Sequence, residues 1–325
     1  MSVPVLKALS EQYPETEIYL LTGKLFNPLF SDINNLNILN PDLKGKHKGI
    51  KGLFILFTEI KKNVSPDIVI DIHDVLRTKI LRLLFKFSGI KVRKIDKGRR
   101  AKRKLTKQKN KVLKPLKHTT ERYTETFFKA GLDLNLKYSF KKNIKSDNIH
   151  ISDLVNSDKK NIGIAPFAKH LQKQYPIEKT EELIKLLSEN NYQILLFGGG
   201  NKEKETANKI AEKYKNTINI IGKYSLKDEI ALMNNLDVMI TPDSGNMHLA
   251  ALTSVKIISI WGATHPFAGF TPFVEDNRHL IIRNSNLKCS PCSIFGNKKC
   301  YKHTLECLYS IPPEEIFTLC KKITD

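Results

Sequence analysis

The stretch ITPDSGNMHLAALTSVKIISIWG, residues 240–262, decides how the C-terminal half of this chain is interpreted. An apolar run ends in the polar triplet DSG at residues 243–245, and a helix-compatible segment follows at residues 246–252. A second apolar run covers residues 255–260. The pattern predicts a strand, a tight turn, a helix and a second strand. The free N–H groups at such a helix start can bind an anionic group such as phosphate.

Spacing alone leaves two interpretations of this turn open. Asp243 and Ser244 are residue types that cap helices, and His248, four residues after Ser244, is then an ordinary packed or solvated side chain. In the alternative, these side chains lie with Gly245 and Asn246 around an anionic ligand at the helix start.

The string DSGNMHLAA, followed by an apolar strand and WGATHP, resembles the signature of glycosyltransferase family 9, the ADP-heptose:lipopolysaccharide heptosyltransferases. The residues that fit this signature are Asp243, Ser244, Gly245, His248, Leu249, Ala250, Gly262, Thr264 and Pro266. The resemblance implies an inverting transfer of heptose from ADP-heptose to the lipopolysaccharide core, with no cofactor. It assigns the donor diphosphate and sugar pocket to Asp243, Ser244, Gly245, Asn246 and His248. It also implies an α/β fold of the GT-B type, with two Rossmann-like domains facing across a cleft.

A lysine expected to stabilise the leaving group follows the strand predicted at residues 161–165. The tetrapeptide KQYP, which begins at Lys173, resembles the family's Lys-x-Trp/Tyr-Pro element, whose lysine neutralises the donor diphosphate. A fixed ammonium group suits the negative charge that a departing nucleoside diphosphate accumulates. Lys169 is the alternative if the register is shifted.

Two more donor-side residues follow the next predicted strand. Gly199 lies in the glycine run at residues 198–200, which permits close approach of a ligand to the backbone, although a plain tight turn has the same composition. Glu203 falls where the family often has a glutamate near the nucleoside, and Glu205 competes for that role.

The acceptor side is expected in the first half of the chain. Asp71, His73 and Arg77 follow a strand predicted at residues 67–71, where the resemblance places a basic residue that meets an acidic acceptor. Capping of the next helix is an equal interpretation for Asp71 and Asp74, and an ordinary surface charge is one for Arg77.

The start of the chain departs from the family pattern. Family members begin with a strand and a Ser-x-x-Gly-Asp loop, whose aspartate is thought to be the general base. Here Met1 opens directly in the helical pattern that follows that loop. We therefore expect an N-terminal domain without its first strand, and a general base encoded upstream of Met1 in a natural protein about twenty residues longer. If the chain is natural as given, a catalytically impaired binding protein is the expectation.

Alternating strands and helices predict two domains, residues 1–150 and residues 151–325. The polar residues 141–160 are the expected linker between them. The second domain is expected to end in a cysteine-rich tail and a closing helix at residues 312–323. In GT-B enzymes such a helix commonly crosses back onto the first domain.

The net charge of +21 is concentrated between Lys97 and Lys117, a segment with eleven Lys or Arg residues and no acidic residue. An anionic membrane, a phosphorylated lipid acceptor, nucleic acid or a solvated loop all fit such a run. Nucleic acid fits less well because the run has no aromatic residue on which bases stack. With no signal-peptide pattern and no apolar run of membrane-spanning length, we expect a cytoplasmic protein peripheral to the inner membrane. Its expected partners are a nucleotide sugar and the lipopolysaccharide core or a lipid A-linked acceptor.

Four of the five cysteines lie close together near the C-terminus: Cys289, Cys292, Cys300 and Cys307. A Cys-x2-Cys pair followed by two further thiols can hold a structural zinc ion. The later pair is spaced more widely than in a usual zinc knuckle, so reduced and partly packed thiols are the alternative interpretation. A disulfide is less expected in a reducing cytoplasm.

Overall fold

The computed structural model describes residues 1–137, 146 and 148–325, with residues 149 and 150 described for their backbone only. The chain forms two compact units. The first unit comprises Met1–Arg99 and Lys117–Lys137, and the second comprises Arg100–Leu116 and Tyr138–Asp325.

This division differs in two respects from the predicted domains, residues 1–150 and 151–325. The first unit ends earlier along the chain, and residues 141–145 and 147 of the expected linker at residues 141–160 lie outside the described residues. The second unit also includes Arg100–Leu116, most of the basic run, which the sequence analysis had assigned to the first domain.

The second unit alternates strands with helices, as predicted. Its strands are β5 (Asn161–Ile164), β6 (Gln193–Leu196), β7 (Thr217–Asn219), β8 (Val238–Pro242), β9 (Lys256–Ile260) and β10 (His279–Ile282). Its helices are α6 (Ile177–Glu189), α7 (Asn201–Ala211), α8 (Leu226–Met233), α9 (Gly245–Ala250), α10 (Glu306–Tyr309) and α11 (Pro313–Thr324).

These strands form one parallel sheet in the order β10-β9-β8-β5-β6-β7. The order reverses between β5 and β8, as in doubly wound nucleotide-binding folds. In such sheets ligands bind outside the carboxyl ends of the strands at the point of reversal. The sheet topology therefore predicts a ligand site at the loops that follow β5 and β8.

Burial explains why this sheet was predictable. All residues of β5, β6 and β8 are buried, so these strands appear in the sequence as short continuous apolar runs. Helices α6 and α11 pack together on one face, where Leu183, Ile184 and Ile316 are at most 1% exposed. Helix α11 thus packs within the second unit, against α6, β8 and β9.

The first unit contains two separate parallel strand pairs among its described residues, β1 with β2 and β3 with β4. The elements are α1 (Ser2–Gln12), β1 (Ile18–Leu21), β2 (Leu36–Leu39), α2 (Gly49–Asn63), β3 (Ile68–Asp71), α3 (Leu76–Phe87), β4 (Lys91–Lys94) and α5 (Thr119–Phe128). Helix α4 (Arg99–Leu105) leads from the first unit into the second. Helices α2 and α3 pack through the rings of Phe57 and Phe85, whose centroids are 5.0 Å apart.

Within the described residues, no helix combines the length and the apolar composition needed to cross a bilayer.

We predict that Ile316→Ala lowers the free energy of unfolding by about 2–5 kcal/mol, because it opens a cavity under a side chain that is 0% exposed. Urea unfolding followed by circular dichroism measures the change. Lys321→Ala, on an exposed position of the same helix, is the matched control and should change stability by at most about 0.5 kcal/mol. Equal losses in the two variants would contradict the packing described for α11.

Candidate donor site at the reversal of the sheet

The ends of β5 and β8 are adjacent in the sheet, and both lead into loops that carry predicted site residues. The backbone N–H of Ala165 donates to the carbonyl oxygen of Ile240 at 2.9 Å, which holds the two strand ends together. Lys173 lies on the chain that follows β5, and Asp243 follows β8 directly. The fold therefore places the two predicted charges at the point of reversal.

The Lys173 ammonium forms an ion pair with the Asp243 carboxylate, with an Nζ–Oδ2 distance of 3.1 Å. Asp243 is 5% exposed as a residue, and the Lys173 side chain is 16% exposed. A carboxylate this buried is costly unless it is paired, so the lysine fixes the aspartate and the aspartate orients the lysine. Lys169, the alternative candidate, is exposed.

Helix α9 begins at Gly245, one residue earlier than predicted, and ends at Ala250. Ser244 is its N-terminal flanking residue in extended backbone, and its hydroxyl lies 3.1 Å from Thr241 Oγ1. Gly245 faces open space, since no described atom lies within 4 Å of the position that a Cβ would take. Asn246 is exposed to an intermediate degree, as is His248. The turn therefore leaves the start of α9 accessible.

The glycine run after β6 is occupied by a carboxylate from the chain itself. The N–H of Gly199 donates to Glu203 Oε2 at 2.7 Å, and Glu203 lies in the first turn of α7. Gly198 is required for space, because a Cβ there would lie 2.8 Å from both Glu203 Oε2 and Ile221 Cδ1. Glu205 is exposed. The structure thus gives Gly199 and Glu203 a mutual contact that the sequence analysis did not anticipate.

A second glycine that the sequence analysis missed, Gly296, packs against the stem of Lys173. A Cβ at Gly296 would lie 2.5 Å from Lys173 Cδ and closer still to Cγ. Gly296 also has a φ of +73°, which favours glycine. It belongs to the segment at residues 289–307, here named the cysteine loop. The cysteine loop therefore packs against the side chain of Lys173, whose ammonium group pairs with Asp243.

The turn after β9 fastens the cysteine loop to the lysine segment. Ala263 donates its N–H to the carbonyl oxygen of Gln172 at 3.1 Å. The carbonyl oxygen of Ala263 accepts from the N–H groups of Cys292 and Ser293 at 3.0 and 3.1 Å. Gly262 allows Leu308, the residue after the cysteine loop, to pack against this turn, since a Cβ at Gly262 would lie 2.6 Å from Leu308 Cγ. The WGATHP motif thus links the cysteine loop to the residue that precedes Lys173.

The four clustered cysteines line one small cavity of about 20 Å³, and all are free thiols. Burial raises the pKa of Cys307 to about 12. Burial also opposes ionisation of Cys300, but backbone N–H groups of residues 302–305 outweigh it and lower the pKa of that thiol. Across the described chain, no three His, Cys, Asp or Glu side chains are arranged to hold a metal ion. The structure therefore brings Cys289, Cys292, Cys300 and Cys307 together without supporting the predicted zinc site.

The predicted acceptor residues of the first unit lie beside a buried ion-pair cluster. Asp71 Oδ1 accepts from the N–H groups of His73 and Asp74 at 2.8 Å, which shapes the turn before α3. Arg82 contacts the carboxylates of Asp71 and Asp74, each at 3.2 Å, and Arg99 contacts Asp74 at 2.6 Å. For Asp71 the structure thus favours turn formation and ion pairing over acceptor binding.

His73 and Arg77 are exposed, and they are the two predicted acceptor residues that remain open to solvent. The partners Arg82 and Arg99 were missed by the sequence analysis, because each lies several residues or more from the aspartate that it contacts and no local pattern marks the pair.

We predict that Asp74→Asn destabilises the protein at neutral pH and that the difference from the parent shrinks as the pH falls below about 4. Burial opposes ionisation of Asp74, but Arg99, Arg82 and Lys79 outweigh it and hold the pKa of its carboxyl below the ordinary value. Such a group stabilises the fold above its unfolded-state pKa and loses this effect as the pH falls through its folded-state pKa. Asn suits the left-handed backbone at φ +44°.

Urea unfolding at several pH values tests this prediction. Asp133→Asn, at an exposed position of the same unit, is the control and should show no pH-dependent difference from the parent. A loss of stability in Asp74→Asn that is the same at all pH values would contradict the role given to the ionised carboxylate.

Known proteins with similar sequences include two heptosyltransferases. The chain is 25% identical to the lipopolysaccharide core heptosyltransferase OpsX of Haemophilus influenzae over 274 residues, which cover 82% of this chain and 76% of that protein. It is 25% identical over 328 residues to lipooligosaccharide heptosyltransferase 2 of Campylobacter jejuni, covering 100% of this chain and 95% of that protein.

Among solved structures, the Escherichia coli heptosyltransferase WaaC with ADP is similar, with a TM-score of 0.64 and 17% identity. The match covers 99% of this chain and 97% of that one. The predicted GT-B fold class is thereby confirmed. The family model described as glycosyltransferase family 9 (heptosyltransferase) matches residues 56–302, well over half of the chain. On the strength of this match, the chain belongs to glycosyltransferase family 9.

Proposed function

We propose that the protein transfers heptose from ADP-heptose to the core of lipopolysaccharide, with inversion at the anomeric carbon. The observation that carries this proposal is the ion pair between Lys173 and Asp243 at the reversal of a doubly wound sheet. Two relatives of similar length are named as heptosyltransferases of lipopolysaccharide or lipooligosaccharide, and the structurally similar WaaC was solved with ADP. These likenesses support ADP-heptose as the donor and the lipopolysaccharide core as the acceptor.

In this mechanism the acceptor hydroxyl attacks the anomeric carbon while ADP departs. Negative charge grows on the diphosphate as the glycosidic bond breaks, and a prepositioned cation stabilises it. Lys173 supplies that cation, and Asp243 holds it in place until the donor arrives. The exposed N–H groups at Ser244 and Gly245 add hydrogen-bond donors on the same side. No metal ion is needed for this stabilisation, since the ammonium provides the charge.

The remaining site assignments extend the same proposal. Asn246 and His248 lie on α9 beside the diphosphate, and Glu203 with Gly199 lies near the nucleoside. His73 and Arg77 meet the acceptor from the first unit.

We place the protein in the cytoplasm, peripheral to the inner membrane, where the acceptor is anchored. The net charge of +21 favours an anionic leaflet, to which each lysine or arginine near the surface adds attraction of about 1 kcal/mol. A structural zinc ion at the four cysteines stays a prediction, and metal analysis of the purified protein checks it. The rival function, a non-enzymatic nucleic-acid or membrane-binding protein, gains no support from the relatives.

We predict that Lys173→Gln lowers kcat/KM for ADP-heptose by about 100-fold or more, because it removes a charge that acts on the departing diphosphate. Release of ADP in the presence of a lipopolysaccharide-core acceptor measures the rate. Lys169→Gln, at an exposed nearby lysine, is the control and should retain the parental rate. Lys173→Arg keeps both the positive charge and the pairing with Asp243. A higher rate in Lys173→Arg than in Lys173→Gln would therefore show that the lost charge, not misfolding, lowers the activity. Equal rates for Lys173→Gln and the parent would refute the assignment.

We also predict that Gly296→Ala weakens ADP-heptose turnover by about tenfold or more, because the added methyl group displaces Lys173. Gly222→Ala is the matched control, since Gly222 also has a positive φ, +67°, but an added Cβ there makes ordinary contacts with Lys204. Both variants carry similar backbone strain, and the clash with Lys173 adds to it in Gly296→Ala, so Gly222→Ala should lose no more stability than Gly296→Ala in urea unfolding. Loss of turnover in both variants alike would show that strain, not the displacement of Lys173, is responsible.

A further inference from the structure

A second cavity of the second unit, of about 430 Å³, lies between the end of α4 and the cysteine loop. Arg103, Lys107 and Gln108 line one wall, and Lys298, Lys299 and Tyr301 line the other. We name this cavity the basic pocket. None of these residues belongs to the predicted donor site. Arg103, Lys107 and Gln108 belong to the basic run, for which the sequence alone left several anionic partners open.

The wall formed by Arg100–Leu116 is held in place by specific contacts within the second unit. Leu105 is 0% exposed, and the Lys102 ammonium lies 4.2 Å from the centroid of the Phe270 ring. Lys111 Nζ donates to the carbonyl oxygens of Lys288, Cys289 and Pro291 at 3.1, 2.7 and 2.9 Å. The wall is therefore a docked segment, not the freely solvated loop that the basic run alone suggested.

The charges of the basic pocket are unbalanced. Four cationic side chains line it, and its lining includes no carboxylate from the described residues. Exposed lysines elsewhere in this unit do find acidic partners, as Lys213 does with Glu181 at 2.7 Å and Lys302 with Glu306 at 3.4 Å. Cations gathered around one cavity repel each other, and an anionic ligand relieves that repulsion.

The donor groups and the volume narrow the chemistry of that ligand. The Arg103 guanidinium offers a planar fork that suits phosphate oxygens, and the lysines add point charges. Gln108 and Tyr301 carry neutral hydrogen-bond donors of the kind that bind sugar hydroxyls. The volume lies within the usual range for small-molecule sites and exceeds what a lone phosphate fills.

We propose that the basic pocket binds a free phosphorylated sugar. The pocket shares the cysteine loop with the donor site, because Gly296 contacts Lys173 while Lys298 and Lys299 line the pocket. A ligand in the pocket therefore contacts the same loop that packs against the donor lysine, Lys173.

Isothermal titration calorimetry of the full chain with glucose 6-phosphate tests the proposal, with glucose as the neutral counterpart. Saturating ADP in the cell keeps the donor site occupied, so that the phosphate cannot bind there. We expect glucose 6-phosphate to bind and glucose not to bind. The double variants Lys298→Gln/Lys299→Gln and Arg103→Gln/Lys107→Gln, on opposite walls, should each weaken binding by about tenfold or more. ADP affinity should be unchanged in both.

The matched control is Lys209→Gln/Lys215→Gln, which removes the same charge from exposed positions elsewhere in the unit. Equal weakening in this control, or no binding of glucose 6-phosphate to the parent, would overturn the proposal. The proposal would also be overturned if the pocket variants weakened binding only of phosphatidylglycerol vesicles or only of a single-stranded oligonucleotide. Neither of these ligands is a free phosphorylated sugar. Failure of the proposed transferase function would instead appear as absent ADP binding, with the comparison of the pocket variants intact.

Discussion

The ion pair between Lys173 and Asp243 is the interaction around which the loops of the second unit are arranged. It forms because the parallel sheet brings the loops after β5 and β8 side by side. A buried carboxylate needs a partner, and the nearest cation comes from a different loop that only a parallel sheet brings alongside. The reversal of strand order between β5 and β8 opens the crevice in which that pair lies. Charge, topology and burial therefore converge on one location, and this is where we propose that the anionic leaving group binds.

The cysteine loop connects this ion pair with the basic pocket, which lies outside the proposed donor site. Gly296 packs on the Lys173 stem, and Ala263 ties the loop to the residue before that lysine. On its other side, Lys111 of the docked segment donates to the carbonyl oxygens of Cys289 and Pro291 in the same loop and to that of Lys288, just before it. Movement of the loop would therefore alter both the position of Lys173 and the shape of the basic pocket.

The sequence predicted the central strands of the second unit because they are fully buried and appear as apolar runs bounded by turn residues. Strands β2 and β10 were missed because each spans only four residues, and most of those residues are half-buried or exposed rather than buried. Helix α4 was missed because its charged residues suggested a solvated loop, whereas buried Leu105 and Lys102 anchor it through tertiary contacts. Asp243 and Lys173 were found through family motifs, but Gly296 could not be, since its role depends on a contact with a residue far away in sequence.

The most direct test of the account is a crystal structure of the protein with ADP bound. We expect the diphosphate to lie at the start of α9, with Lys173 Nζ within hydrogen-bond distance of a phosphate oxygen. A structure in which ADP binds elsewhere, or in which Lys173 stays on Asp243 with the phosphates out of its reach, would contradict the central claim.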